Sequence, residues 1–274
     1  MSSNPPSEYF TELSKNYALQ TGTSTAQVLQ SVYPLISSLN PITSESRIHD
    51  NAAGPGTATY LILSHFPSPS QPHPQILVTD NNPGMLASAK STFASYSDVT
   101  ARELDSVDLS SLSDERFTHS FTNFSIFLFG DAKLAMSHVH RTLMTGGLAV
   151  VSTWKRFGFG QCIHRAQRAV RPDLPVMPLP GAQFFEEGVL AGVMEEAGFE
   201  RASSQILVKE FVAKADALKG LREFMVADFG KMATRDWEES DRKKWQEAVD
   251  GVINEEVEAY GGMRFEAWVF LAKK

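Results

Sequence analysis

Ser46-Arg-Ile-His-Asp50-Asn-Ala-Ala-Gly54-Pro-Gly56-Thr-Ala-Thr59 is the stretch on which the reading of this chain turns. Ile48 to Asp50 ends a short strand, so Asp50 supplies a fixed negative charge at its carboxyl end. Gly54 and Gly56 then let the backbone approach a ligand closely. A second strand follows in Gln75-Ile-Leu-Val-Thr-Asp80-Asn-Asn-Pro-Gly84 and again ends in an acid. A glycine turn on one strand and an aspartate on the next is how an open α/β sheet holds a nucleoside. The turn lies under the polar tail, and the aspartate accepts from the ribose hydroxyls.

Outward from this pair, strand and helix patterns alternate. Ser24-Thr-Ala-Gln27 reads as a capping box for a helix with Val28, Val32, Ile36 and Leu39 on one face, closed at Asn40-Pro41. The aromatic lead-in before it, with Tyr9, Phe10 and Tyr17, either folds over a ligand or packs; residues 1–40 are expected to form an N-terminal helical lid. Thr57 to Phe66 reads as a helix with Tyr60, Leu61, Ile62 and Phe66 apolar, stopped by Pro67, and the proline-rich run 67–74 as a surface loop. Ile76–Thr79 is a strand, Pro83–Lys90 a helix with Met85, Leu86 and Ala89 inward, and Thr92–Tyr96 a weaker strand followed by Asp98. Phe117–Phe124 is strand four. A helix over Asp131–Met144, with Leu134 and Leu143 on its apolar face, closes at Gly146-Gly147. Leu148–Thr153 is a strand covered on both faces. Five βα units therefore give a parallel sheet with helices on both sides. Beyond Trp154 the chain turns aromatic and basic, with helices at 184–197, 218–232 and 245–260, a strand at 206–211, and a late strand from Phe265 that suits antiparallel pairing. No repeat and no linker divides it, so residues 1–274 read as one domain, with 154–264 supplying acceptor-binding elements.

Composition narrows the function. Of 274 residues 42% are hydrophobic and 21% charged, as in an ordinary globular protein, and the formal net charge of -7 without a basic block disfavours nucleic acid as substrate. Cys162 is the single cysteine, so neither a disulfide framework nor a multi-cysteine zinc site is expected. His138 and His140, two apart on one helix, cannot share a face and make a poor metal pair, so no metal is expected. No apolar run approaches membrane-spanning length and the polar start lacks a secretory core, so a cytoplasmic setting without membrane contact is expected.

Asp50-Asn-Ala-Ala-Gly54-Pro-Gly56-Thr resembles motif I of the class I S-adenosylmethionine-dependent methyltransferases, an acid followed by Gly-x-Gly-x-Gly, with Ala52 where the first glycine usually stands. Asp80-Asn-Asn-Pro-Gly-Met-Leu86 resembles that family's second acidic strand end, and Arg141-Thr-Leu-Met-Thr-Gly146-Gly147-Leu148 its turn into strand five, with Thr145 where proline is common. The likeness runs from about Tyr17 to the C-terminus and is nearest to the UbiE-like small-molecule branch, particularly enzymes of fungal secondary metabolism, some of which methylate dithiols. It implies a Rossmann-like methyltransferase sheet, mostly parallel with a late antiparallel strand. It also implies S-adenosyl-L-methionine as cofactor, with S-adenosyl-L-homocysteine as product.

On that resemblance the cofactor-binding candidates are Tyr17, Asp50, Ala52, Gly54, Asp80, Asn81, Met85, Asp98, Val99, Thr122 and Asn123. Asp50 faces the methionine end, Asp80 the ribose, Met85 the underside of the adenine, and Asp98 with Val99 its edge. Thr122 and Asn123 lie near the sulfonium, or else pack at the sheet end. Phe124, Phe127 and Phe129 either wall the acceptor pocket or fill a strand–helix junction. Trp154 and Arg156 are placed for acceptor recognition, and His164 is the candidate catalytic base, although a thiol acceptor ionises near neutrality and needs none. Expected partners are a small-molecule substrate, with the protein a monomer or homodimer. A nicotinamide dehydrogenase needs Gly-x-Gly-x-x-Gly, and Thr59 stands at the third position. Two further classes stay open beside the small-molecule enzyme: a non-catalytic or cyclase-like binding protein, and an RNA or protein methyltransferase.

Overall fold

Strands β1 (Arg47–Asn51), β2 (Gln75–Asp80), β3 (Val99–Glu103), β4 (Phe117–Asn123) and β5 (Leu143–Arg156) run parallel in a computed structural model, which describes residues 23–66 and 71–274. β6 (Ser204–Ala213) and β7 (Met263–Lys273) complete a seven-stranded sheet of order β3-β2-β1-β4-β5-β7-β6. β7 lies between β5 and β6 and is antiparallel to both, as its late position suggested. Residues Leu148–Trp154 are buried without a break, because helices cover the sheet on both faces. One apolar layer gathers α1 (Ser24–Leu39), α2 (Thr57–Leu63), α5 (Gly158–Val170) and α10 (Trp245–Tyr260); the other holds α4 (Ala132–Thr142) and α6 (Val189–Glu196). The remaining α-helices are α3 (Pro83–Thr92), α7 (Ala215–Val226), α8 (Asp228–Ala233) and α9 (Glu239–Arg242).

The strand order reverses between β1 and β4, the point where an open α/β sheet leaves a crevice outside the carboxyl ends of its strands. β1 and β2 run in register, Asp50 beside Val78 and Asn51 beside Thr79. Asp50 and Asp80 therefore finish at one edge.

Several local expectations are corrected. Thr92–Tyr96 is the end of α3 and a turn; the third strand starts at Val99, where the chain was expected already to have left it. β3 is an edge strand of largely exposed residues, so it carries no apolar alternation. The connection from β3 to β4 holds no helix, so the run of strand–helix units is broken there. The cap of α1 falls one residue early: Thr23 precedes the helix at φ 64°, and Gln27 Nε2 donates to Thr23 Oγ1 at 3.0 Å. Tyr60 and Leu134 point outward, 67% and 43% exposed. Leu143 already belongs to β5, and Gly146-Gly147 form a bulge inside that strand, where the pairing jumps from Phe117 beside Leu143 to His119 beside Leu148. The stripe Val28, Leu29, Val32 and Ile36 packs α1 into the core, whereas the rest of the expected lid, with Tyr17, lies outside the described residues.

Candidate functional site

At the crevice, the glycine bend and the second aspartate are joined directly. Gly54 N–H donates to Asp80 Oδ2 at 2.8 Å, and Asn82 N–H donates to Asp80 Oδ1 at 2.8 Å. Asn82 in turn caps α3, its Oδ1 accepting from the Gly84 and Met85 amides at 2.9 and 3.0 Å. Asp80 is buried, which raises its pKa, and the two amide bonds oppose that rise. A carboxylate offers about four acceptor sites, so two remain for hydroxyl donors of a ligand.

The bend owes its shape to three left-handed residues in five: Ala52 at φ 49°, Gly54 at 58° and Gly56 at 90°. Gly56 is required twice over, since a Cβ there would overlap the Phe93 ring of the α3 terminus. A Cβ on Gly54 would lie 3.9 Å from Met85 Sδ, so Met85 sits against the bend.

Asp50 is 1% exposed. Its Oδ2 accepts from Thr59 N–H at 3.0 Å and Thr59 Oγ1 at 2.7 Å, which ties β1 to the first turn of α2. Its Oδ1 is buried with no hydrogen-bond partner. Burial pushes the carboxyl up to about 7, the Thr59 bonds act against it, and the neighbouring Asp80 charge adds to it. An orphaned acidic oxygen beside a backbone bend fits the ammonium of an amino-acid tail, and two acceptor sites on the next strand tip fit a sugar diol. The residues present thus fit S-adenosyl-L-methionine.

The tip of β4 completes the edge. Thr122 Oγ1 accepts from Asn51 Nδ2 at 3.2 Å, and Asn51 Oδ1 accepts from Ser106 Oγ at 3.0 Å. Ser152 Oγ donates to Asn123 Oδ1 at 2.8 Å and accepts from Phe124 N–H at 3.1 Å. Phe124 is held at φ 55°, uncommon for a bulky residue, with its ring 4.1 Å from that of Trp154.

Of the residues singled out in the sequence, Asp50, Ala52, Gly54, Asp80, Asn81, Met85, Thr122 and Asn123 share this edge. Asp98 and Val99 do not. Val99 pairs with Ile76 at the start of β2, whereas Glu103 pairs with Asp80, so Asp98 sits at the opposite, amino edge, 3.7 Å from His73. The carboxyl end of β3 is instead Glu103-Leu104-Asp105-Ser106, with Leu104 N–H donating to the Asp80 carbonyl at 3.2 Å. His164 lies on α5 and its Nε2 is engaged by the Met177 carbonyl at 2.7 Å, with no contact to the Gly54–Asp80 corner. Arg156 is bound to Glu256 at 3.0 Å and lies over the Tyr260 ring. Thr59, Asn51, Ser106 and Ser152 were missed. Of these only Ser106 carries a sequence signal, the polar run that follows β3. Among the described residues no helix is long and apolar enough to cross a membrane.

Known proteins similar to this chain bear on its fold. Methyltransferase ucsB of Acremonium sp is 22% identical over 183 residues, covering 64% of this chain and 63% of the relative. Methyltransferase ktnA of Aspergillus niger is 28% identical over 166 residues, covering 56% and 54%. The matched segments thus span less than two thirds of either relative. No protein-family model matches the chain. Phosphoethanolamine N-methyltransferase 2 of Haemonchus contortus, solved with S-adenosyl-L-methionine, superposes with TM-score 0.54 at 14% identity over 97% of this chain and 60% of that one. The [4+2]-cyclase SpnF superposes with TM-score 0.52 at 16% identity over 90% and 81%. At such identities the structural likeness speaks for the fold alone: this chain has the class I S-adenosylmethionine-dependent methyltransferase fold, with weak sequence likeness to fungal methyltransferases.

Proposed function

We propose that this protein transfers a methyl group from S-adenosyl-L-methionine to a small-molecule acceptor. The observation that carries the reading is the 2.8 Å bond from Gly54 N–H to Asp80, which fuses the bend and the second acid into one pocket wall. In this reading Asp80 takes the ribose hydroxyls, Asp50 Oδ1 the ammonium, Met85 one face of the adenine and the 104–106 segment its edge. When bound, the cofactor supplies an electrophilic methyl on a sulfonium. The chain's part is to hold that carbon in line with the acceptor atom, and positioning of this kind carries effective molarities of about 10⁵–10⁸ M. The tip Thr122–Phe124 and the segment 154–264 form the acceptor side. The acceptor is a fungal natural product bearing a thiol, hydroxyl or amine, in keeping with the organisms of the two relatives. For a thiol no dedicated base is needed; for a hydroxyl His164 is the candidate. We assign the protein to the cytoplasm, as a single domain working as a monomer or homodimer.

A second reading, a cyclase-like or non-catalytic binding protein, is favoured by the likeness to SpnF and by Ala52 in the glycine bend. Calorimetric titration with S-adenosyl-L-homocysteine tests the cofactor, and a panel of thiols, amines and phenols tests turnover. Saturable binding with methylation of a panel member is expected; absence of binding up to about millimolar ligand (a free energy near -4 kcal/mol) contradicts the reading, and binding without turnover moves it to the second. Asp80→Ala is expected to weaken the ligand far more than His164→Ala, and equal effects would misplace the pocket.

A further inference from the structure

Asn51 occupies the last position of β1 and faces away from Asp50, toward the layer that holds the loop between β3 and β4. It is wholly buried, and both ends of its side-chain amide are committed: Nδ2 to Thr122 on β4 at 3.2 Å, Oδ1 to Ser106 in that loop at 3.0 Å. Ser106 and Thr122 are buried as well. An apolar side chain would fill this position without the desolvation that a buried amide incurs. What the amide adds is direction, because a planar group with a donor at one end and an acceptor at the other fixes two neighbours at once.

The neighbours belong to different parts of the edge. The loop at 104–116 contains no helix and is tied both by backbone bonds, such as Leu104 N–H to the Asp80 carbonyl, and by side chains, with Arg141 holding the Leu109 and Leu112 carbonyls at 2.8 Å each. The β4 tip leads into the left-handed Phe124 against Trp154. We propose that Asn51 is a positioning residue, a single amide coupling the loop after β3 to the tip of β4 so that the two walls of the crevice move as one. Its bearing on catalysis rests on the methyl-transfer reading; its bearing on the coupling does not.

Amide hydrogen exchange and titration with S-adenosyl-L-homocysteine, applied to the full chain, test it. In Asn51→Leu, exchange in segments 104–112 and 122–126 is expected to rise together by about tenfold, while β2 and β5 keep their protection. Ser106→Ala is expected to loosen the first segment in the parent and to add nothing in the Asn51→Leu background. Binding of S-adenosyl-L-homocysteine, where the parent shows it, weakens by a similar factor in both single variants. Unchanged exchange, a rise spread over the whole sheet, or a Ser106→Ala effect of equal size in both backgrounds would each overturn the coupling. Should Asn51→Leu fail to fold, the pair Ser106→Ala and Thr122→Val decides: effects smaller together than their product support the shared amide, and a full product refutes it. A parent that binds no S-adenosyl-L-homocysteine defeats the methyl-transfer reading and leaves the exchange comparison to judge Asn51.

Discussion

Ala52 holds φ at 49°, where the Cβ of an L-residue crowds the following carbonyl. Glycine escapes that cost, so Ala52→Gly is expected to raise stability by about 1 kcal/mol despite its looser unfolded chain. Denaturant unfolding reads this directly; a loss of stability would mean that the alanine methyl makes contacts worth more than the strain. Asp50 yields a second prediction at this scale. Its carboxyl titrates near 7 in the folded protein and near 3.8 when unfolded. Between those values the folded state keeps a proton that the unfolded state has lost, so this group lowers stability as pH rises from about 4 to about 7. Asn has the same shape and keeps an acceptor for Thr59. Asp50→Asn is therefore expected to gain on the parent with rising pH, by up to about 1.4 kcal/mol per pH unit in that window, while binding S-adenosyl-L-homocysteine more weakly. His49, pushed down to about 3 by burial and the Arg116 charge, acts with opposite sign between 6.5 and 3, but it is common to both proteins and cancels. A pH-independent difference would show that Asp50 is ionised throughout.

Among the elements, α2 and α3 meet at Gly56 and Phe93, where there is no room for a methyl group and φ is 90°. Gly56→Ala is expected to cost about 3 kcal/mol from overpacking plus backbone strain, measured as a fall in unfolding free energy. A cost below about 1 kcal/mol would mean the bend relaxes freely and is no rigid cradle. The strands that carry the site were legible to different degrees. β1 carries an acid one residue from its end and β2 ends in one, followed by glycines or an N-cap, so their tips announce themselves by chemistry even where β1 is polar. β3 is Val-Thr-Ala-Arg-Glu at the sheet edge, with most of its surface in solvent, and no apolar alternation marks where it begins. That single misplacement carried Asp98 and Val99 to the wrong end of the molecule. The hydrogen bonds of Asn51 and Ser152 join residues 71, 55 and 29 positions apart, and no periodicity encodes such pairings.

Over the whole molecule, the order β3-β2-β1-β4-β5-β7-β6 sets the crevice between β1 and β4 and brings the tips of β1, β2 and β4 to one edge. The parallel order, the reversed late strand and the two covering layers could be read from buried runs and helix spacing, because burial on both faces leaves a continuous apolar signature at Leu148–Thr153. The proposed acceptor side could not, since α5 through α10 present their aromatics largely to each other, as in the contacts of Phe159 with Phe224 and Phe229. The corner at Gly54 and Asp80 therefore bears the functional reading. Its most direct test is calorimetric binding of S-adenosyl-L-homocysteine and of its 2′,3′-dideoxy analogue to the parent and to Asp80→Ala. Loss of hydrogen bonds to a buried carboxylate is expected to weaken the analogue on the parent by about 10- to 100-fold, and to make almost no difference on Asp80→Ala. An equal penalty on both proteins would show that the sugar hydroxyls are held elsewhere.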